Sequence, residues 1–517
     1  MREVPRIHLL LTLFAFFFFL AVPCGAQSIP SDLVQMVHTG VSQEPCTGVC
    51  NLIVPFPQAS LAGNLLKMDF SWRYSGTVPT VSNIYCNSDT GHTTWIWTLA
   101  KSVLNPGDNT DTFSYYIAGA APGCKTVTVV ASSVWIDAEA TLKEWREVAT
   151  SSPVDATGGG IDTSGPAFST SLTTTTANDL VDQFCTFAPI PGGWPQTVSQ
   201  ATASAGFTAL DLETGYGYGS IAGIDASTGA LTGTINFVGG PSGGDGNCTM
   251  VAFKTSAGAG TAPIGVHIIQ QFDQTASGTG SPTFQAHIFN ANDAVVFGGI
   301  SGAPAPNSQW TGFSDTLGNT WQAFGNGGGG VTPPRWQLTC TSIAGDTLMH
   351  PTGGSNNDWN IQIVEIAGLK NSSNQACFDK EAERAGVDGG STGVACPLPF
   401  TSLTCFQYGG LTITPTLATD LVIAQINEGV GPQVAVSTSP PGATFNYPLY
   451  TGITDAGDMN EGGGFSYFFN AGTSAITFTW FDTTPATTFT SGAIALEAGN
   501  TQGTPPAPPT GLQAIVQ

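Results

Sequence analysis

The chain has 517 residues, of which 36 are Asp or Glu and only 13 are Lys or Arg, so its formal net charge is −23. A chain this negative repels phosphate backbones and anionic lipid surfaces, which excludes nucleic acid as a partner. Charged residues make up only 9% of the chain, so we expect solubility to depend on Ser, Thr, Asn, Gln and Gly.

The first 26 residues have the three parts of a secretory signal peptide. Arg2 and Arg6 give a positive start, residues 9–22 are almost entirely apolar, and a small-residue end predicts cleavage after Ala26. The alternatives are an uncleaved anchor, for which the run is short, and a lipoprotein using Cys24, which Pro23 disfavours. No later stretch is long and apolar enough to span a membrane. The sequence therefore predicts a secreted protein with no membrane span after cleavage.

Cysteine usage supports export. Of 11 Cys, Cys24 lies in the leader, which leaves an even number and indicates disulfides in an oxidising compartment. Sequence alone does not fix the connectivity. The pairs that we predict are Cys46–Cys50, Cys86–Cys124, Cys185–Cys248, Cys377–Cys396 and Cys340–Cys405. Zinc is the rival explanation, but the chain has no CxxC motif and its His residues are scattered.

Two copies of one unit of about 230 residues can be aligned along the chain. We place the copies at 27–254 and 264–499, with a Ser-, Gly- and Ala-rich linker at 255–263 that suits a flexible hinge. An insertion of about 20 residues separates the middle matches of the second copy. The aligned segments are 33–35 with 268–270, 64–68 with 293–297, Asp89 and Trp95 with Asp315 and Trp321, 144–145 with 365–366, 176–181 with 417–422, and 250–253 with 493–496.

Within each copy apolar and polar residues alternate with a period of two. Val127 and Val129 alternate with threonines, as do Ile476, Phe478 and Trp480, which is typical of antiparallel strands with one buried face. With 65 Gly and 34 Pro there is little room for long helices, and residues 138–148 are also predicted as a strand. The predicted fold is all-β, with two tandem antiparallel β-sandwich domains of jelly-roll type, each made of two sheets packed face to face.

The ordered set of strand, Ser314–Trp321 turn, Glu-aromatic strand at Glu144 and Ala-x-Asp-Leu-Val strand at 418–422 resembles β-sandwich modules of large secreted bacterial proteins. The first copy departs from it in the turn, where Gly91 comes one place early. The resemblance implies an extracellular location and a binding or spacer role, and it carries no catalytic residues across. The Pro-rich tail at 500–517 resembles the start of a truncated fibronectin type III domain.

No catalytic group stands out. Gly-x-Ser-x-Gly patterns surround Ser242 and Ser391, but both lie in Gly-rich loops with no helix pattern following. A glycosidase needs two carboxylates about 5–10 Å apart, and Glu139 and Glu147 could cluster on one strand face. The recurring Glu144 and its counterpart Glu365 fit a repeated structural hydrogen bond better.

Two kinds of binding site remain open. Calcium prefers several loop oxygens, which Asp455, Asp458, Asn460 and Glu461 offer, but their spacing differs from an EF-hand and solvated acidic turns are the preferred interpretation. No other cofactor is predicted. Sugars stack on exposed aromatic rings, and Trp194 and Trp336 lie in loop contexts that do not recur. The alternative is that these rings fold back onto their own module.

The sequence thus predicts a non-enzymatic extracellular protein acting in adhesion, surface display or carbohydrate binding, with glycans or cell-surface components as partners. One alternative is a secreted polysaccharide-active enzyme or its accessory module, using carboxylates such as Glu139 and Glu147. The other is a ligand-free spacer.

Overall fold

The computed structural model describes residues 33–42, 50–188, 200–213, 218–225, 227–238, 245–276, 281, 283–302, 312–324, 335–352, 358–386, 393–395, 404–428, 433–441, 444–445, 465–482 and 489–499. Within these ranges every regular element is a β-strand. All strand pairs but one are antiparallel, and facing sheets share apolar cores. The antiparallel β-sandwich fold class is therefore confirmed. Residues 138–145 form part of a strand, as predicted.

The first eight strands make one pair of packed sheets. Alternate residues of the third strand, Leu66, Met68 and Phe70, point into a core that Leu52 and Val127 close from the other sheet. The strands are β1 (Leu33–Ser42), β2 (Cys50–Pro55), β3 (Leu65–Arg73), β4 (Val81–Cys86), β5 (Thr98–Asn105), β6 (Thr110–Ile117), β7 (Thr126–Ala131) and β8 (Asp137–Trp145). The sheet orders are β1-β8-β3-β6-β5 and β2-β7-β4.

The next eight strands make a second pair of sheets. Its core joins Val181 and Met250 of one sheet to Phe168 and Ile235 of the other. The strands are β9 (Val154–Asp162), β10 (Ala167–Thr174), β11 (Asp179–Ala188), β12 (Gln200–Ala203), β13 (Thr208–Glu213), β14 (Tyr218–Asp225), β15 (Gly229–Val238) and β16 (Asp245–Phe253). The sheet orders are β13-β14-β11-β16-β9 and β10-β15-β12.

The second half of the chain repeats this plan. A third pair of sheets packs around Phe297 and Ile363, and a fourth around Val422 and Phe478. The strands are β17 (His267–Ala276), β18 (Phe284–Phe289), β19 (Ala294–Gly302), β20 (Gly312–Asp315), β21 (Gln322–Phe324), β22 (Arg335–Thr339), β23 (Gly345–Thr352), β24 (Asp358–Ala367), β25 (Phe378–Gly386), β26 (Val394–Ala395), β27 (Thr404–Ile413), β28 (Leu421–Glu428), β29 (Gln433–Ser439), β30 (Thr444–Phe445), β31 (Ser466–Phe468), β32 (Ile476–Asp482) and β33 (Phe489–Leu496). The face-to-face pair of sheets expected of each copy thus occurs twice in each half.

The two sandwiches of each half are stacked on one another. In the first half, Leu65 and Trp145 of one sandwich pack against Leu180 and Val251 of the other. In the second half, Val296 and Val364 pack against Ile423 in the same way. The sheet containing β3 and β8 is therefore covered on both faces, which decides where its polar residues lie.

The halves meet edge to edge. β1 pairs with β17 in parallel, with Met36 opposite Gln270 and Val37 opposite Gln271. This pairing gives one sheet of ten strands, in the order β21-β22-β19-β24-β17-β1-β8-β3-β6-β5. The order of strands is the same when followed outward from the joint in either direction. β13 also packs against β18 across the joint.

The segment 255–263, expected to be a flexible hinge, is instead hydrogen-bonded to the first half. Glu147 N donates to Ala259 O at 2.8 Å, and Ser256 N donates to Glu147 O at 2.7 Å. The side-chain amide of Asn64 makes two hydrogen bonds to the backbone of Thr261. Its Oδ1 accepts from Thr261 N at 2.7 Å, and its Nδ2 donates to Thr261 O at 3.1 Å. Composition indicated flexibility, but these contacts fix the segment in place.

Three disulfides lie within the described residues. Cys86–Cys124 and Cys185–Cys248 are formed as predicted. The predictions Cys377–Cys396 and Cys340–Cys405 are wrong, because Cys340 pairs with Cys377. That bridge joins the end of β22 to the start of β25, so it ties the third sandwich to the fourth. Cys50 and Cys405 are also disulfide-bonded, while Cys46 and Cys396 lie outside the described residues, so the predicted Cys46–Cys50 pair stays a prediction.

Candidate functional site

The recurring glutamates are structural. Glu144 lies opposite Gln35 in the sheet and accepts a hydrogen bond from Gln35 Nε2 at 2.6 Å. Glu365 lies opposite Gln270 and accepts from Gln270 Nε2, also at 2.6 Å. Each carboxylate accepts in addition from a backbone N–H, that of Leu61 in the first half and of Asn290 in the second. Both glutamates are buried, and burial raises the pKa of each.

Glu139 and Glu147 do not form the carboxylate pair of a glycosidase. Glu139 lies inside β8, whereas Glu147 follows the end of that strand and faces Arg146 Nη1 at 3.1 Å. At about 3.4 Å per residue, the strand alone puts about 20 Å between Glu139 and Trp145. Glu147 therefore does not share a strand face with Glu139, which was the reason for grouping the two carboxylates.

A cluster of four charges lies between the two sandwiches of the first half. We call it the buried charge quartet; its members are Lys67 and Asp69 on β3, Lys143 on β8 and Asp182 on β11. Lys67 and Lys143 stand directly opposite each other on neighbouring strands. Side-chain exposure is 1% for Lys67 and zero for the other three.

The quartet alternates in sign. Lys143 Nζ lies 2.7 and 2.8 Å from the two oxygens of Asp182 and 3.1 Å from Asp69 Oδ2. Lys67 Nζ lies 2.6 and 2.5 Å from the oxygens of Asp69 and 2.7 Å from Asp182 Oδ1. Ser114 Oγ donates to Asp69 Oδ1 at 2.7 Å. Each ammonium group therefore touches both carboxylates, and the four charges sum to zero.

Electrostatics within the quartet outweighs burial. Burial opposes ionisation of Asp69, but the ammonium groups of Lys67 and Lys143 hold the pKa of Asp69 below its usual value. Burial likewise favours a neutral Lys143, but the carboxylates of Asp182 and Asp69 raise the pKa of that amine. Removing two charges from water remains expensive even when they are paired.

The second half has apolar residues at the same four places. Strand registers align Lys67 and Lys143 with Val296 and Val364, which also stand opposite each other. The same registers match Asp69 to Gly298 and Asp182 to Ile423. The space above Gly298 is filled by the rings of Phe465 and Trp336. The fold is therefore built once with four buried charges and once without them.

An exposed aromatic patch lies on the outer sheet of the first sandwich. The rings of Tyr85 and His92 stack with centroids 4.0 Å apart and planes 11° apart. Asn83 Nδ2 lies 3.0 Å from His92 Nδ1. His92 and Asn83 are exposed, and Tyr85 is half-buried. We call Asn83, Tyr85 and His92 the ring patch.

The loop that carries His92 is fixed from within. Asp89 accepts hydrogen bonds from Gly91 N at 3.2 Å and Thr94 N at 2.6 Å, and these backbone donors lower the pKa of Asp89. The matching Asp315 of the second half accepts from Gly318 N at 2.7 Å and from the indole N–H of Trp321. The recurring aspartate is thus the centre of a turn.

Aromatic and calcium candidates chosen from sequence fare differently. Trp336 is only 1% exposed and its ring stacks on Phe465 at 5.2 Å, so its prediction as an exposed sugar platform is wrong. The prolines before Trp336 indicated a loop, but Trp336 lies in β22 and its ring packs between two stacked sandwiches. The remaining candidates, Trp194 for sugar binding and Asp455, Asp458, Asn460 and Glu461 for calcium, lie outside the described part of the chain.

Sequence reasoning did not single out the quartet or the ring patch. The alignment of the two copies contained a sign of the quartet, because charged Lys67 in the first copy is aligned with apolar Val296 in the second. The aligned pair His92 and Gly318 was a similar sign of the ring patch. Within the described residues, no group of three or more His, Cys, Asp or Glu is arranged to hold a metal ion. That part of the chain also contains no helix of the length and apolarity that a bilayer crossing requires.

The chain matches no known protein family and no curated protein.

Proposed function

We propose that this protein is a secreted, non-enzymatic β-sandwich protein that acts in adhesion or surface display by binding carbohydrate. The observation that carries the proposal is the exposed ring of His92, which stacks on Tyr85 of β4 and lies on a loop that is fixed from within. The disulfides and the continuous ten-stranded sheet support it, since both suit a stiff extracellular body.

The ring patch has the chemistry that a sugar requires. One face of a sugar ring presents C–H groups, which pack on an aromatic ring, while its hydroxyls need polar partners at the ring edge. The imidazole of His92 supplies the outer ring, and Tyr85 supports it from beneath. The amide of Asn83 lies beside the imidazole and offers a donor and an acceptor.

The backbone at His92 gives a second reason to connect this patch with binding. His92 has φ of 52°, in the left-handed region that non-glycine residues rarely adopt. The matching position in the second half is Gly318, with φ of 77°. The first half therefore places an aromatic ring where the second half has glycine.

A glycan array with the mature protein tests the proposal, followed by titration of the best ligand. His92→Gly places the residue of the second half at this position and removes the outer ring without straining the backbone. We expect this variant to bind about tenfold more weakly, as one lost stacking contact predicts. Ile264→Ser, at a 91% exposed residue outside the ring patch, is the matched control and should bind like the wild type.

Unchanged binding by His92→Gly would overturn the assignment of the site to the ring patch. A wild-type protein that binds no glycan on arrays of plant, animal and microbial sugars would overturn the proposed function and favour a ligand-free spacer. Turnover of a bound polysaccharide would instead favour the enzyme alternative.

A further inference from the structure

Neither the proposed binding site nor the fold requires the buried charge quartet, because the second half folds with apolar residues in its place. We propose that Lys143 and Asp182 condense into a side-chain amide bond, which covalently joins the first sandwich to the second. The bond would connect β8 to β11 across the layer where the two sandwiches are stacked.

Geometry selects this pair. Lys143 Nζ lies 2.7 and 2.8 Å from the two oxygens of Asp182, so the amine is held in contact with this carboxyl group. Reacting atoms held this close reach effective concentrations of about 10⁵–10⁸ M. Lys67 Nζ lies as close to both oxygens of Asp69, but these two residues are on one strand, so only the pair Lys143 and Asp182 could join one sandwich to the other.

The other two members of the quartet supply the roles that condensation needs. Asp69 Oδ2, 3.1 Å from Lys143 Nζ, is the base in contact that accepts a proton from the ammonium group and frees the amine lone pair. Because the pKa of Asp69 is lowered and that of Lys143 is raised, this transfer is the costly step of the reaction. The amine attacks Cγ of Asp182. Lys67 Nζ, 2.7 Å from Asp182 Oδ1, stabilises the negative charge that develops on that oxygen.

The step balances without any other reagent. The proton held by Asp69 and a second proton from the attacking nitrogen pass to the other oxygen of Asp182, which leaves as water. One C–N bond forms and one C–O bond breaks, and nothing is oxidised or reduced. Lys67 and Asp69 remain as one matched ion pair.

The contact between the two groups and the release of water provide the driving force, against the attraction that keeps the four groups charged. All four groups are removed from water, and each buried ion carries a desolvation penalty that pairing offsets only in part. Condensation replaces two of the four charges by a neutral amide and releases a water molecule.

The second half has a different covalent link at the same kind of junction. Cys340–Cys377 ties the third sandwich to the fourth, where the quartet is replaced by apolar residues. In the first half, the disulfides within the described residues each stay inside one sandwich: Cys86–Cys124 in the first and Cys185–Cys248 in the second. An amide between Lys143 and Asp182 would give both halves a link between sandwiches.

The test is the intact mass of the mature, fully reduced full-length protein, followed by peptide mapping. We expect a mass lower by one water than the sequence predicts, and a branched peptide in which Lys143 is joined to Asp182. Trypsin should also fail to cleave after Lys143. A wild-type mass with no water missing, or a loss that maps to other residues, would overturn the proposal.

Lys143→Arg keeps the positive charge but removes the nucleophile, so its mass should match its sequence. Lys370→Arg, at a partly exposed ion pair with Glu497, is the matched control and should keep the water loss. Retention of the loss in Lys143→Arg would contradict the assignment. If that variant does not fold, the wild-type mass and peptide map decide alone.

Discussion

Asn64 and Asp293 occupy the same place in the two halves, each beside a buried glutamate. Asn64 Nδ2 donates to Glu144 Oε1 at 2.6 Å. Asp293 instead faces Glu365 with a second carboxyl, and the two are hydrogen-bonded. Two carboxyls in such contact need a proton between them, so the second half has a coupled carboxyl pair where the first half has one carboxyl and an amide.

We predict that the second half loses stability as the pH rises from about 4 to about 7. Burial raises the pKa of Asp293 to about 7, and burial together with the charge of Asp293 raises the pKa of Glu365 well above its usual value. The folded state therefore binds protons that the unfolded chain, with carboxyl pKa values near 4, has released. The stabilisation is complete below about pH 4 and is lost as the pH approaches 7. Urea unfolding at pH 5 and pH 8 measures the difference.

Two variants separate this pair from the other groups that titrate in this range. Asp293→Asn makes this site of the second half like the first and should reduce the dependence on pH, while the raised pKa values of Asp420 and Glu144 leave the remainder. Asn64→Asp should introduce the same dependence into the first half. The other groups that face Glu365, Gln270 and the backbone of Asn290, do not titrate. An unchanged pH profile in Asp293→Asn would rule out this carboxyl pair as the cause.

Replacing one member of the buried charge quartet should destabilise the protein far more than replacing all four. Lys143→Met leaves a carboxylate without its partner in a dry layer, so we expect it to cost about 3–5 kcal/mol of unfolding free energy. The combination Lys67→Val, Asp69→Gly, Lys143→Val and Asp182→Ile copies the second half and should cost far less. Urea unfolding of both variants against the wild type measures the difference. A quadruple variant less stable than the single one would show that the quartet is needed as a unit.

The alternation of residues predicted the strands but not what covers them. Glu144 and Gln35 were aligned correctly with Glu365 and Gln270, because strand positions repeat in the sequence. Lys67 and Asp69 alternate with apolar residues, which indicates a solvent-facing side in a two-layer sandwich. They are buried because β11 of another sandwich covers that side. Which sheets stack is a tertiary fact, and the pairing of Cys340 depended on it too.

The Cys340–Cys377 bridge should contribute about 4 kcal/mol to stability, since it closes a loop of 37 residues in the unfolded chain. We expect the double variant Cys340→Ala, Cys377→Ala to lose about that much, measured by urea unfolding under non-reducing conditions. Because this variant lacks the bridge, adding a reducing agent should lower its unfolding free energy by less than it lowers that of the wild type. Non-reducing peptide mapping of the wild type should recover Cys340 with Cys377, and a peptide linking Cys377 to Cys396 would contradict the structure.

Gly298 should tolerate even one added methyl group poorly. A Cβ atom there would lie 2.7 Å from Cζ of Phe465 and 2.8 Å from Cε3 of Trp336, and both rings are buried. Because the rings cannot move apart without disturbing the stacked sandwiches, Gly298→Ala should cost about 1–3 kcal/mol. Gly312→Ala is the matched control, since its Cβ would meet Thr352 only at 3.8 Å and should change stability by less than about 0.5 kcal/mol. Thermal unfolding of the two variants compares them, and equal midpoints would mean that the layer between the third and fourth sandwiches is looser than these contacts indicate.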